Sequence, residues 1–256
     1  MSRFSDVFGI EQPVALVTGS GAKRVGNAIV QSLAARGYRC VVHANRSLEQ
    51  AEDFVAKLRD SGAEAIAQQA NLTDTRELHA LVDKSLSHFG RLDVLVNAAA
   101  IWEPKRLEEI MPDDVRRHFE INTLATFELC RYAGLKMVAQ SMGGAIINIG
   151  DWAVTRPYLG YAAYFPSKGA IPTLTRTLAV ELAARNPRIR VSAVLPGPVM
   201  LPPDLSAAER QAAIEGTLVK REGTPKHVAD AVVFLAENDF VTGVCLPVDG
   251  GRTIAS

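Results

Sequence analysis

"PVALVTGSGAKRVGNAI", residues 13 to 29, joins a short apolar run to a glycine-rich turn, and its reading decides the fold. "PVALVT" (13 to 18) reads as a buried strand. Gly19, Gly21 and Gly26 follow where a chain must turn sharply and bring backbone N–H groups against a phosphate at a helix N-terminus. Taken alone, a tight structural turn would carry the same glycines. The rhythm of the remaining chain gives the dinucleotide reading its weight. "RCVVHA" (39 to 44), "EAIAQQA" (64 to 70), "DVLVNA" (93 to 98), "AIINIG" (145 to 150), "RVSAVL" (190 to 195) and "GVCLPV" (243 to 248) also read as strands, and helical patterns separate nearly all of them. Nearly continuous apolar strands alternating with amphipathic helices imply an α/β fold, a doubly wound, mostly parallel sheet with helices on both faces. No linker, repeat or low-complexity tract interrupts the pattern, so residues 1 to 256 are expected to form one dinucleotide-binding domain of about seven strands. "GPVMLPPDLSAAERQAAIEG" (197 to 216) is expected to form a surface flap with its own helix, of the kind that covers a substrate.

Composition narrows the function. A hydrophobic fraction of 48% over 256 residues supports a single large core. The 28 basic and 28 acidic residues cancel, which leaves no electrostatic footprint for nucleic acid or an anionic membrane and favours a small-molecule role. The apolar runs fall short of a membrane span, and "MSRFSDVFGIEQ" at the start has no apolar core of a secretory signal, so a soluble cytoplasmic protein is expected. Cys40, Cys130 and Cys245 show no metal-ligand spacing and are expected as free thiols, with no metal site.

Two further signals carry chemistry. An acidic residue after the second strand of such a fold would hold the ribose 2′-OH of NAD; here the position carries Asn45, Arg46 and Ser47. A guanidinium pairs bidentately with a 2′-phosphate, so NADP(H) is favoured, with Arg24 as a second cation. Tyr164 and Lys168, four residues apart, are neighbours on one helical face, where an ammonium would lower the pKa of the phenol and make it a general acid/base. Tyr161 is a rival, but Phe165 lies four residues beyond it and cannot do the same electrostatic work.

On these residues, together with "NLT" (71 to 73), "NAAA" (97 to 100), Asn122 in "INTLA", "PGPV" (196 to 199) and "VDGG" (248 to 251), the chain resembles the short-chain dehydrogenase/reductase family over essentially its whole length. The resemblance implies hydride transfer with a nicotinamide, Tyr164 as proton donor or acceptor, Lys168 holding the nicotinamide ribose, and Asn122 ordering a proton-relay water. It implies cofactor contacts from Gly19, Gly21, Lys23, Arg24, Val25, Gly26, Asn45, Arg46, Ser47, Asn71, Leu72, Asn97, Ala98, Tyr164, Lys168, Pro196, Gly197 and Val199. It also implies a homotetramer built from the helices carrying Asn122 and Tyr164, and the tyrosine–lysine spacing is not that of the enoyl-reductase branch.

The family's usual serine, thirteen residues before the tyrosine, is Asp151 here. That substitution, "AKRVG", "HANRS" and Trp102 in "NAAAIWEP" resemble the pteridine reductase branch, including the dihydromonapterin reductases, and imply a pterin stacked between Trp102 and the nicotinamide. Reducing a C=N bond delivers hydride to carbon and a proton to nitrogen, so a carboxyl beside Tyr164 can pass protons or orient ring amino groups. The role requires a pKa raised by desolvation, with Lys168 opposing the shift, whereas a plain turn cap would require nothing of the kind. The chain departs from the family by one extra residue between Gly19 and Gly26, by Ala100 where a polar residue is common, and by Asn71 in place of aspartate. A ketone or 3-oxoacyl reductase is the alternative reading, and a non-catalytic NADPH sensor a third.

Overall fold

The computed structural model describes residues 3 to 255. Seven parallel strands form one sheet in the order β3-β2-β1-β4-β5-β6-β7: β1 (Val14–Val17), β2 (Arg39–Ala44), β3 (Ala65–Gln69), β4 (Val94–Asn97), β5 (Gly144–Ile149), β6 (Ile189–Pro196) and β7 (Cys245–Val248). All seven runs read from the sequence are strands. The chain winds outward in one direction from β1 to β3, then returns to the other side of β1 with β4. The crevice outside the carboxyl ends of β1 and β4 is therefore where a doubly wound fold takes its ligand.

Alternation along each strand assigns side chains to two cores. Ala15 and Val17 pack with α2 (Val25–Ala34), α3 (Leu48–Asp60) and α9 (Pro225–Glu237). Val14 and Leu16 pack on the opposite face with α4 (Thr75–Phe89), α6 (Ala125–Val138) and α7 (Tyr164–Ala183). Two short helices complete the body: α1 (Arg3–Phe8) near the start and α5 (Pro112–His118). Between α5 and α6, residues Phe119–Leu124 form a π-helical turn with Asn122 inside it. Such turns insert an extra residue into a helix and are frequent at functional sites. The stretch expected as a flap is a loop leading to a helix, α8 (Ala207–Glu215), whose start is capped reciprocally by Ser206 and Glu209. No helix among the described residues is long and apolar enough to cross a membrane, and no group of three or more potential ligands among them is placed to hold a metal ion.

The glycine loop is built by close approach. Gly19 has φ +64, and a methyl there would lie 2.7 Å from the Cα of Ala99. A methyl on Gly26 would lie 2.7 Å from the carbonyl oxygen of Gly19. Gly26→Ala should therefore force the loop away from α2, destabilise the fold by about 1–3 kcal/mol in urea titration, and weaken NADP(H) binding measured by fluorescence.

Candidate active site

A continuous cavity of about 1370 Å³ runs from the glycine loop, across the carboxyl ends of the strands, to the flap. Gly19, Gly21, Arg24, Val25, Gly26, Asn45, Ser47, Asn71, Leu72 and Ala98 line it. Trp102, Asp151, Tyr164, Lys168, Pro196, Gly197 and Val199 line it too. Four expected residues do not line it. Lys23 and Arg46 are exposed, with Arg46 between two lining neighbours. Asn97 is buried behind the wall, donating to Asn148 Oδ1 at 2.9 Å. Asn122 is fully buried.

Tyr164 opens α7, and Lys168 lies one turn later. The Tyr164 hydroxyl donates to Asp151 Oδ2 at 2.8 Å, while Asp151 Oδ1 accepts from Ala153 N at 2.8 Å. The aspartate thus does both things weighed for it: one oxygen caps the helical turn Trp152–Val154 and the other meets the tyrosine. Burial pushes the Asp151 carboxyl above its usual range; its hydrogen bonds to Ala153 and Tyr164 and the charge of Lys168 oppose the shift. Lys168 Nζ donates to the carbonyl of Ile149 at 2.7 Å, and burial lowers its pKa to about 8.

The expectation that Lys168 lowers the Tyr164 pKa is corrected here. The phenol is pushed well above its ordinary value, first by burial, then by the Asp151 charge and the hydrogen bond to it. Desolvation and a neighbouring carboxylate both oppose phenolate. The spacing predicted adjacency correctly but could not weigh the carboxylate against the ammonium.

Asn122 is committed to structure. Its Nδ2 donates to Ile101 O and Ser167 Oγ, both at 3.0 Å, and its Oδ1 accepts from Ile101 N at 2.9 Å. Its own carbonyl accepts from Thr126 Oγ1 at 2.9 Å. The side chain therefore clamps the π turn to the strand-end loop at Ile101, and it meets neither Tyr164 nor the cavity directly.

Trp102 reaches the cavity, but it stacks on Tyr161 at 4.7 Å and 10° between planes, so one of its faces is already covered. Tyr161, set aside as a rival base, is instead part of an aromatic wall with Tyr158 and Trp152. Sequence reasoning also missed His43, whose Nδ1 accepts from Gly19 N at 3.0 Å and whose Nε2 lies 2.9 Å from Ala70 O. Those partners place the proton on Nε2, and burial lowers the pKa of the ring, keeping it neutral. The histidine ties the glycine loop to the end of β2; a polar residue inside an apolar strand was its only signal in the sequence.

The donor set fits a dinucleotide. Three glycines leave room that a Cβ would fill, the N-terminus of α2 opens on the cavity, and the polar Asn45 and Ser47 stand where a ribose phosphate would lie.

The chain matches, over residues 21–253, a family model described as enoyl-(acyl carrier protein) reductase. A 3-oxoacyl-[acyl-carrier-protein] reductase of Synechocystis sp. is 35% identical over 94% of this chain and 97% of the relative. Pteridine reductase 1 of Leishmania tarentolae is 32% identical over 94% of this chain and 96% of the relative. Among solved structures, a blue fluorescent protein from a metagenomic library, in complex with NADPH, superposes with a TM-score of 0.85 at 33% identity, covering 94% of this chain and 97% of its own.

The half-buried carboxyl of Asp151 has a stability signature. Because its folded pKa is raised, the folded state binds more protons than the unfolded one between the ordinary and the raised value, and stability falls as pH rises through that window. Asp151→Asn removes the charge and leaves an amide that can donate to the tyrosine oxygen. The variant should be more stable than the parent at pH 7, with the difference closing as pH falls below the window, in urea midpoints taken at both ends.

Proposed function

The chain belongs to the short-chain dehydrogenase/reductase family, and from that premise we propose that it is an NADPH-dependent reductase of a polarised double bond, with Tyr164 as proton donor. The observation that carries this reading is the Tyr164–Asp151 contact on the wall of a cavity that begins at a glycine loop. Bound NADPH supplies the hydride. Gly19, Gly21, Gly26, Arg24, Asn45 and Ser47 would hold its phosphates and ribose, Leu72 and Ala98 its adenine side, and Lys168 its second ribose. The Tyr164 hydroxyl, held by Asp151 when nothing else is present, turns to the substrate atom that accepts the proton.

For the substrate, the leading reading is a carbonyl compound, a ketone or 3-oxoacyl group, supported by relatives such as the 3-oxoacyl reductase. An ionised carboxylate repels a developing alkoxide, so in this reaction Asp151 acts protonated, its O–H donating beside Tyr164 where the family's serine would. Burial favours that form. A second reading, the cyclic C=N bond of a pterin, is supported by the carboxyl itself, by Trp102 and Tyr161 on the wall, and by the pteridine reductase among the relatives. There the ionised Asp151 would accept from ring N–H groups. The assembly proposed is a homotetramer through α6 and α7, supported by exposed Phe127, Leu135 and Val180 on those helices.

The two substrate readings separate by pH and by substitution. Carbonyl reduction should slow as pH rises through the Asp151 window, and Asp151→Ser should preserve it while removing that dependence. Pterin reduction should persist above the window, fall with Asp151→Ser, and weaken by roughly 1–3 kcal/mol of binding in Trp102→Ala. The measurement is kcat/KM for a ketone, a 3-oxoacyl thioester and a dihydropterin across pH 5 to 9. For the cofactor, Arg46→Asp should cut the NADPH over NADH preference by roughly 10- to 100-fold, the strength of a charge-assisted contact to the 2′-phosphate. An unchanged preference would transfer that role to Arg24, the second cation of the glycine loop, which lines the cavity.

A further inference from the structure

No residue of the flap helix α8 is fully buried; Ala213 and Ile214 are half-buried, and Arg210 pairs with Glu222 at 2.7 Å. One side chain from the other end of the chain meets it. Arg252 Nη1 donates to the carbonyls of Ala212 at 3.2 Å and Ala213 at 2.9 Å, near the C-terminal end of α8, where a cation is favoured. The same guanidinium lies 5.3 Å from the ring centroid of Trp152, within cation–π range. Trp152 begins the helical turn whose cap is Asp151.

Gly216 adds an independent sign. Its backbone, φ −71 and ψ −5, suits any residue, so conformation does not require glycine there. A methyl built on Gly216 would nonetheless coincide with the Arg252 guanidinium and push it aside. Arg252 itself springs from a fixed turn, because Asp249 accepts from Gly251 N at 2.9 Å and from Thr253 N at 2.7 Å. Arg156 closes the group by donating to the Arg252 carbonyl at 3.1 Å. Lys220 Nζ also reaches the end of α8, at Glu215 O, but it belongs to the strand of chain leaving the flap and connects it to nothing else.

We propose that Arg252 is a positioning residue that clasps the flap helix to the turn carrying Asp151, so that enclosure of the substrate and placement of the carboxyl beside Tyr164 are coupled. The coupling to catalysis rests on the reductase reading above, whereas the clasp itself does not. Hydrogen–deuterium exchange of the whole protein tests the clasp without a substrate. Arg252→Ala, and Gly216→Ala, which displaces the guanidinium while keeping it, should each speed exchange in residues 207–216 and 152–155 together by roughly tenfold, the strength of a charge-assisted contact plus a cation–π contact. Exchange in the core strands should stay within about twofold, since the clasp lies outside the sheet, and the dissociation constant for NADP⁺ should do the same, since neither residue belongs to the glycine loop. Arg252→Lys, a point charge without the planar fork, should recover part of the protection at 207–216 and little at 152–155. Faster exchange confined to the flap, or no change with Gly216→Ala, overturns the proposal. With whichever substrate the enzyme reduces, Arg252→Ala should lower kcat/KM for that substrate and leave the KM for NADPH unchanged, and the loss should shrink in an Asp151→Ser background. Equal losses in both backgrounds also overturn the coupling. An enzyme that reduces nothing offered refutes the reductase reading, and the exchange result still decides the clasp.

Discussion

At the parting of β1 and β4, backbone meets backbone with no room for a side chain, and the site depends on that approach. Thr18 Oγ1 accepts from both Ala98 N and Ala99 N at 3.1 Å, and Gly19 turns immediately afterwards against Ala99. These contacts hold the first turn of the glycine loop against the end of β4, so the loop opens toward the crevice rather than folding across it. His43 holds the same loop from β2 through Gly19 N. A dinucleotide site needs its N–H groups oriented before the ligand arrives, and this loop is oriented by neighbours on both sides.

The acid/base group obeys a different balance. Asp151, Tyr164 and Lys168 lie close together, and burial heads the list of influences on each: it raises the first two and lowers the third. Every shift favours the uncharged form, as low dielectric demands. For Tyr164 and Lys168 the charge of Asp151 acts next, and the carboxylate takes the place beside the phenol that the ammonium was expected to dominate. Lys168 is drawn instead to the carbonyl at the end of β5. A serine at 151 would leave the tyrosine without a neighbouring negative charge. The aspartate therefore changes the proton inventory of the site without changing its scaffold.

The seven strands, the direction of the sheet, the flap and the tyrosine–lysine adjacency were legible in the sequence because each is local. Strand burial shows as continuous apolar runs, a helix brings residues four apart together, and a glycine turn announces itself by composition. Asp151 was also legible as an anomaly, thirteen residues before Tyr164. Its double role, with one oxygen on Ala153 and the other on the phenol, required two elements to meet in space.

The remainder depends on contacts between residues far apart in the chain, which no period or spacing encodes. Tyr161 is a wall residue because the loop after β4 brings Trp102 against it. Asn122 is buried with its amide satisfied by Ile101 and Ser167. His43 is kept neutral by burial, and Gly19 on one side and Ala70 on the other fix which nitrogen carries its proton. A side chain at Gly216 would meet the guanidinium of Arg252, from the far end of the chain. The sequence by itself determined the scaffold and which candidate side chains stand on it, since helix, strand and turn preferences act over a few residues. The tertiary structure alone decided protonation, orientation and enclosure, since burial and long-range hydrogen bonds exist only once the sheet has brought those residues together.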